Sequence, residues 1–221
     1  MKKYELTTDT KIVLGKKLFR IKALVSFGNV KAGDLGGYVE RENNLSHEGK
    51  AWVYGDAEVS GDAEVFGDAK VSGDAKVFGD AWVYGKAWVS GNAKVYGNAK
   101  VYGNALVSGN AKVFGDAWVY GNAEVSGNAE VYGNADYTII QGFGSEYRNT
   151  TFFKCKDGNI GVKCGCFYGT LDEFRSKVKE THKDSKFAKE YLMIADLMEY
   201  HFNSERKETD EEQNRQSQEV H

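Results

Sequence analysis

The chain has 221 residues and a mass of 24.5 kDa, with 41% hydrophobic and 28% charged residues and a formal charge of −3. That suits one large domain, or one domain with small appendages, and the charge excludes a broadly basic surface for long nucleic acid. No run of about 18 apolar residues is present to span a membrane, Met1–Leu6 lacks an apolar signal core, and three cysteines cannot all pair. A cytoplasmic protein without a disulfide framework is expected.

Residues 1–48 read as strands. Lys11–Leu14 and Leu18–Val25 flank Gly15-Lys16-Lys17, which suits a hairpin turn. Phe19, Ile21, Ala23 and Val25 alternate with Arg20, Lys22 and Leu24. This segment is expected to form an N-terminal β cap.

From Gly49 to Ala135 a six-residue unit, Ala-x-Val-y-Gly-(Asp/Asn), recurs without insertion or deletion. Ala and Val stand two apart and share one strand face, while x and y point the other way. Gly followed by Asp, Asn or an occasional Lys suits a corner. Three such steps close a triangle of 18 residues. The expectation is a mainly β chain: a three-sided parallel β-helix of about five coils over 49–138, its hollow filled by Val and Ala.

An 18-residue coil requires outward residues to sort by every third unit, and they do. One y column reads Tyr54, Ser72, Ser90, Ser108, Ser126. The second reads Ser60, Phe78, Tyr96, Phe114, Tyr132, and the third Phe66, Tyr84, Tyr102, Tyr120, Thr138. Trp52 and Trp88 fall on the serine side, and Trp82 and Trp118 on the third.

Past Ala135 the period breaks. Thr151–Lys156 and Ile160–Tyr168 surround Asp157-Gly158-Asn159, a hairpin signal. Thr170-Leu171-Asp172-Glu173 is a capping box opening a helix with Leu171, Phe174 and Val178 on one face. A second helix starts near Asp184 or Ser185, with the stripe Phe187, Tyr191, Ile194, Ala195, Met198, Phe202. A hairpin plus two helices is expected over 139–203, and a polar, disordered tail over 204–221.

The unit Val-y-Gly-(Asp/Asn)-Ala-x resembles the hexapeptide repeat of left-handed parallel β-helices. The string Val30-Lys31-Ala32-Gly33-Asp34-Leu35-Gly36-Gly37-Tyr38-Val39, with Asn44-Leu45-Ser46, Gly49 and Trp52-Val53, resembles phage and prophage hexapeptide-repeat proteins, often labelled polymer-forming or putative transferase. Ile139 to Phe202 is similar to a domain that accompanies such repeats in phages of Gram-positive bacteria. The resemblance implies the left hand of the helix, a phage setting in the host bacterium, and two known uses of such repeats, self-assembly and acyl transfer.

Acyl transfer needs a base poised near neutral pH, most often His. The units contain no histidine, and His47, just before them, is expected in the cap. His182, His201 and His221 fall in the helices or tail, and nothing forms a Ser-His-Asp set. Cys155, Cys164 and Cys166 fall on the hairpin, with Cys164 and Cys166 on one strand face, and read as small apolar residues instead of zinc ligands. No catalytic residue, metal or cofactor is expected.

Binding is the remaining reading. The second side sets Lys76, Lys94 and Lys112 beside Phe78, Tyr96 and Phe114, which suits an anionic, nucleotide-like ligand or a host protein. The third side gathers Trp82, Tyr84, Tyr102, Trp118 and Tyr120, which suits an interface in a homo-oligomer, a dimer or trimer. The expected role is a non-enzymatic phage binding protein, with counter-defence as one form of it. A self-assembling structural element and an acyltransferase are the alternatives.

Overall fold

The computed structural model describes residues 1–218, with side chains through Asn203. The expectation of a disordered tail over 204–221 thus falls where side chains are undescribed or, from 219, outside the described residues. The chain divides into two compact units, Met1–Asn134 and the part from Ala135 on.

The first unit opens with an antiparallel hairpin, β1 (Tyr4–Val13) and β2 (Lys16–Ala23). Its turn is Leu14–Gly15, one residue earlier than Gly15-Lys16-Lys17. Both turn residues have positive φ, 49° and 78°, which matches the twist of the flanking strands. Strand alternation also slips, because the register of β2 shifts between Arg20 and Lys22. Leu18 and Ile21 are buried as a result, and Phe19 is only half-buried. The next strand, β3 (Leu35–Val39), is antiparallel to β2 and parallel to Glu58–Val59. It thereby converts the hairpin into the first rung of a parallel wall.

Fourteen two-residue strands follow, β4–β17, one per repeat from Trp52–Val53 to Glu130–Val131. They stack as three parallel walls with an 18-residue register. The first wall is built on Trp52, Lys70, Trp88, Leu106 and Glu124. The second runs through Glu58, Lys76, Lys94, Lys112 and Glu130. The third has Glu64, Trp82, Lys100 and Trp118. Each rung's N–H donates to the next coil, as in Glu58 N–H to Ala75 O at 2.9 Å and Ser60 N–H to Val77 O at 3.0 Å. Every repeat Ala and Val from Ala51 to Val131 is buried. This is the expected three-sided parallel β-helix, and each buried valine contributes on the order of 1.5–3 kcal/mol.

The second unit is an antiparallel sheet with two helices. Its strands are β18 (Tyr137–Ile140), β19 (Thr150–Lys154), β20 (Ile160–Cys164) and β21 (Phe167–Thr170), paired in that order. Thr138, expected to end the third outward column, instead pairs with Phe152 in this sheet. The expected hairpin is its centre. A Gly165–Cys166 turn separates β20 from β21, so Cys166 is exposed and shares no strand face with Cys164. Cys164 Sγ accepts from Thr150 Oγ1 at 3.1 Å, and burial pushes the Cys155 thiol up to about 11.

Helix α1 (Leu171–His182) starts on the capping box, Thr170 Oγ1 accepting from Glu173 N–H. Helix α2 spans Lys186–Gln218. Phe152, Val162, Phe174, Tyr191, Ala195, Met198 and Phe202 form the core between sheet and helices. Ala188 takes the first buried slot of α2, and Phe187 is half-buried. Arg175 of α1 ties the helices together through Asp196 at 2.8 Å and Glu199 at 2.7 Å.

The corners give a controlled test of this architecture. Gly85 has φ +70°, and a Cβ there would lie 3.0 Å from Gly103 N. Gly133 has open space around the same position. Gly85→Ala is expected to destabilise the fold by about 1–2 kcal/mol. Gly133→Ala should stay within about 0.5 kcal/mol of the parent, both read by denaturant melts.

Candidate functional site

The outward columns close onto themselves. On the second wall Phe78 and Tyr96 stack at 4.9 Å and 3°, and Tyr96 and Phe114 at 5.1 Å and 8°. Tyr132 ends that ladder edge-on to Phe114 at 5.4 Å. On the third wall Phe66, Tyr84, Tyr102 and Tyr120 stack at 4.8, 4.9 and 5.3 Å. One coil advances about 4.8 Å, which is also a favourable ring separation. Ring faces inside a ladder are therefore occupied by neighbouring rings, and the ladder offers its edges to the outside.

The second wall's lysines are unequal. Lys76 pairs with Glu58 at 2.8 Å, and Lys112 with Glu130 at 2.7 Å. Burial opposes ionisation of Glu58, but hydrogen bonds from Lys11 and Lys76 outweigh it and hold the carboxyl below its ordinary range. The Glu130 carboxylate pushes the Lys112 ammonium up. Lys94 has no ion pair among the described residues. The structure thus brings Lys76, Phe78, Lys94, Tyr96, Lys112 and Phe114 onto one wall, with one unpaired ammonium in place of three.

Lys76 and Phe78 also border a recess of about 430 Å³, beneath the hairpin tip at Val13–Leu14. Ser60 precedes Phe78 in the column, so no ring covers that end of the ladder.

The third wall joins all five of its expected residues. Lys100 lies between two tryptophans, its Nζ 4.7 Å from the Trp82 ring and 4.9 Å from the Trp118 ring. Such contacts contribute about 0.5–1 kcal/mol each at exposed sites. Trp82 also meets Phe66 edge-on at 6.2 Å. Trp82, Trp118 and Tyr120 remain 39%, 43% and 49% exposed.

On the first wall the two tryptophans part company. Trp88 is exposed and donates Nε1–H to Ser72 Oγ at 2.8 Å. Trp52 occupies the equivalent outward slot yet is buried, covered edge-on by Phe27 at 5.4 Å and Tyr4 at 6.1 Å. Gly36 makes room for it, since a Cβ there would come within 2.7 Å of the indole.

The cap holds the densest polar cluster. Lys3 is buried and its Nζ donates to Ala51 O at 2.9 Å, 4.9 Å from the Phe27 ring. Tyr4 donates to the Glu42 and Leu45 carbonyls and stacks on His47 at 4.4 Å. His47 Nδ1 accepts from Lys3 N–H at 3.2 Å, which leaves its proton on Nε2, 3.7 Å from Glu42 Oε2. His47 thus lies in the cap with Nδ1 engaged, while Nε2 is buried without a hydrogen-bond partner among the described residues. Sequence reasoning missed Lys3, whose partners are backbone oxygens that no side-chain pattern announces. It also passed over Lys50, which like Lys86 stands at a corner where Asp or Asn is usual; their spacing of two coils was the available signal.

Among the described residues no group of three or more His, Cys, Asp or Glu could hold a metal ion, and no helix is long and apolar enough to cross a membrane. No protein-family model matches the chain, and no curated protein matches it.

Burial lowers the Lys3 ammonium to about 8. Between pH 8 and its ordinary value near 10.5 the unfolded chain holds a proton that the folded chain has released, so raising pH favours the fold. Tyr4, pushed up by burial, works the other way only above about pH 10, where the unfolded phenol ionises. The stability advantage of the parent over Lys3→Met should therefore widen from pH 8 to pH 10 in thermal melts. A flat difference would show that Lys3 keeps its ordinary affinity for protons.

Proposed function

We propose that the protein is a non-enzymatic binding protein of phage or prophage type, self-associated through its third wall. The observation that carries this reading is the continuous exposed aromatic surface of Trp82, Trp118 and Tyr120 beside the stacked tyrosines. A lone chain seldom leaves that much contiguous ring in water. Rings already held by stacking and by Lys100 lose little freedom on docking, which is the usual character of an interface hot spot. The occupant that fits is a second copy of the chain, in a dimer or trimer.

The non-catalytic part of the reading is supported by His47. It is the histidine nearest the repeat, and the cap holds its ring, Nδ1 accepting from Lys3 N–H and Tyr4 stacking on its face. The phage setting and action in the host cytoplasm follow the sequence resemblance. A host protein or an anionic, nucleotide-like ligand suits the walls left open, and counter-defence by inhibition or by sequestering a signal is the role such binding would serve. On the second wall the unpaired Lys94, set between two ion-paired lysines, is the residue that favours a ligand there.

Sedimentation at micromolar concentration is expected to give a dimer or trimer. Trp82→Glu with Trp118→Glu should shift it to monomer without changing the melting temperature by more than a few degrees, because both side chains point away from the core. A clean monomer for the parent protein would overturn the reading.

A further inference from the structure

The first wall carries a recess that neither the repeat nor the cap needs for its own packing. Its volume is about 360 Å³, within the size range of small-ligand sites. The cap loop Phe27–Asn29 borders it on one side and the first three rungs of the wall on the other. Phe27, Tyr54 and Trp88 supply an aromatic lining, and Lys50, Lys70 and Lys86 a cationic one.

Ser72 leaves Tyr54, which lines the recess, without a ring next to it in the column. On the third wall the ring at this level, Tyr84, stacks on the ring before it, Phe66, and closes the gap. Here Tyr54 is followed by serine, and Tyr54 has no ring partner among the described residues. Trp88, 47% exposed, reaches back one rung to Ser72. A tyrosine and a tryptophan therefore approach one small side chain from opposite sides, each with ring surface unspent.

The charges point the same way. Lys50 and Lys86 occupy corner positions two coils apart, with Asp68 between them. Asp68 Oδ1 accepts from the Lys50 backbone N–H at 3.2 Å, so that carboxylate is partly engaged by the main chain. Lys70 sits in the wall between Trp52 and Trp88. None of the three ammonium groups has an ion pair among the described residues, in contrast to Lys76 and Lys112. Three ammonium groups facing one carboxylate select a compact polyanion, and lysine binds phosphate well as a point charge. Unstacked aromatic faces select a planar ring, and base–aromatic stacking contributes about 1–3 kcal/mol per base.

We propose that this recess binds a nucleoside phosphate, its base against Tyr54 and Trp88 and its phosphates among Lys50, Lys70 and Lys86. The site belongs to a single chain and does not depend on self-association through the third wall.

The test is calorimetric titration of the full chain with ATP, inorganic tripolyphosphate and adenosine, in low salt with a chelator present. One saturable ATP site per chain is expected, with tripolyphosphate and adenosine each much weaker. Trp88→Ala should weaken ATP binding by roughly 5- to 150-fold, and Trp88→Phe should retain most of it. Lys70→Glu with Lys86→Glu should abolish it. All of these side chains point outward from a wall whose core residue is Val71 or Val89, or stand at a corner, so unchanged melting temperatures would certify the folds. Absence of saturable ATP binding at millimolar concentration overturns the proposal. So does equal binding of tripolyphosphate with no effect of Trp88→Ala. Loss of binding in Lys94→Glu, with Lys70→Glu/Lys86→Glu unaffected, would move the site to the second wall and overturn this assignment.

Discussion

A hollow lined by alanine and valine is what lets this chain spend its outer surface freely. Each six-residue step buries two small apolar side chains, and the corners from Gly49 to Gly127 turn on a glycine with positive φ, so the walls stay in register with no help from x and y. In most small domains an outward tryptophan or tyrosine contributes to packing, and its loss is felt in stability. Here the side chains that hold the coil together and those that face outward are different positions of the same repeat. The outward positions can therefore vary from Ser to Tyr, or from Glu to Trp, with the backbone unchanged.

That freedom is limited by the coil spacing. Residues 18 apart are held about 4.8 Å from one another, so every outward choice is also a choice of neighbour. Like aromatic residues stack, and stacking hides the faces a ligand would need. Glu beside Lys forms a pair and cancels, as at Glu58–Lys76 and Lys112–Glu130. Lysine between tryptophans is held by the rings, as at Lys100. Ring faces left available to a small ligand lie where a column is interrupted, at Ser60 before Phe78 and at Ser72 after Tyr54. The interruptions carry more information about binding than the ladders do.

The period made the walls legible from sequence, and the sorting of every third unit identified each outward column. The Lys76 and Lys112 ion pairs were legible in the same columns, since Glu58 and Glu130 stand one rung away; setting the lysines only beside the aromatic column missed them. What the period could not convey lies outside it. Trp52 has the spacing of an exposed residue, and its burial comes from Phe27 and Tyr4, which no repeat links to it. The Leu14–Gly15 turn asks a leucine to take positive φ, against its intrinsic preference, because strand pairing on both sides fixes the register. Cys166 left its expected strand face because β20 turns at Gly165, a reversal that alternation alone does not reveal.

The polarity of the ladder bears on how such a chain can assemble. Every rung's N–H points toward the later coil, so the first coil exposes only carbonyl oxygens. The cap answers with backbone donors on the second and third walls: Tyr38 and Glu40 N–H to Ala57 and Val59 O, and Ser46 N–H to Val65 O. Side chains add further donors, one of them on the first wall. Asn44 donates to Gly61 O and Ala63 O at 2.9 Å each, Arg41 Nε donates to Gly61 O at 3.1 Å, and Lys3 reaches Ala51 O. A second solenoid docking on this end would have to displace that layer and uncover carbonyls already matched, at a cost of about 1–3 kcal/mol for each group left unpaired. Growth through the N-terminal edge is therefore opposed, and lateral contact through a wall is the route that leaves the backbone bonds intact.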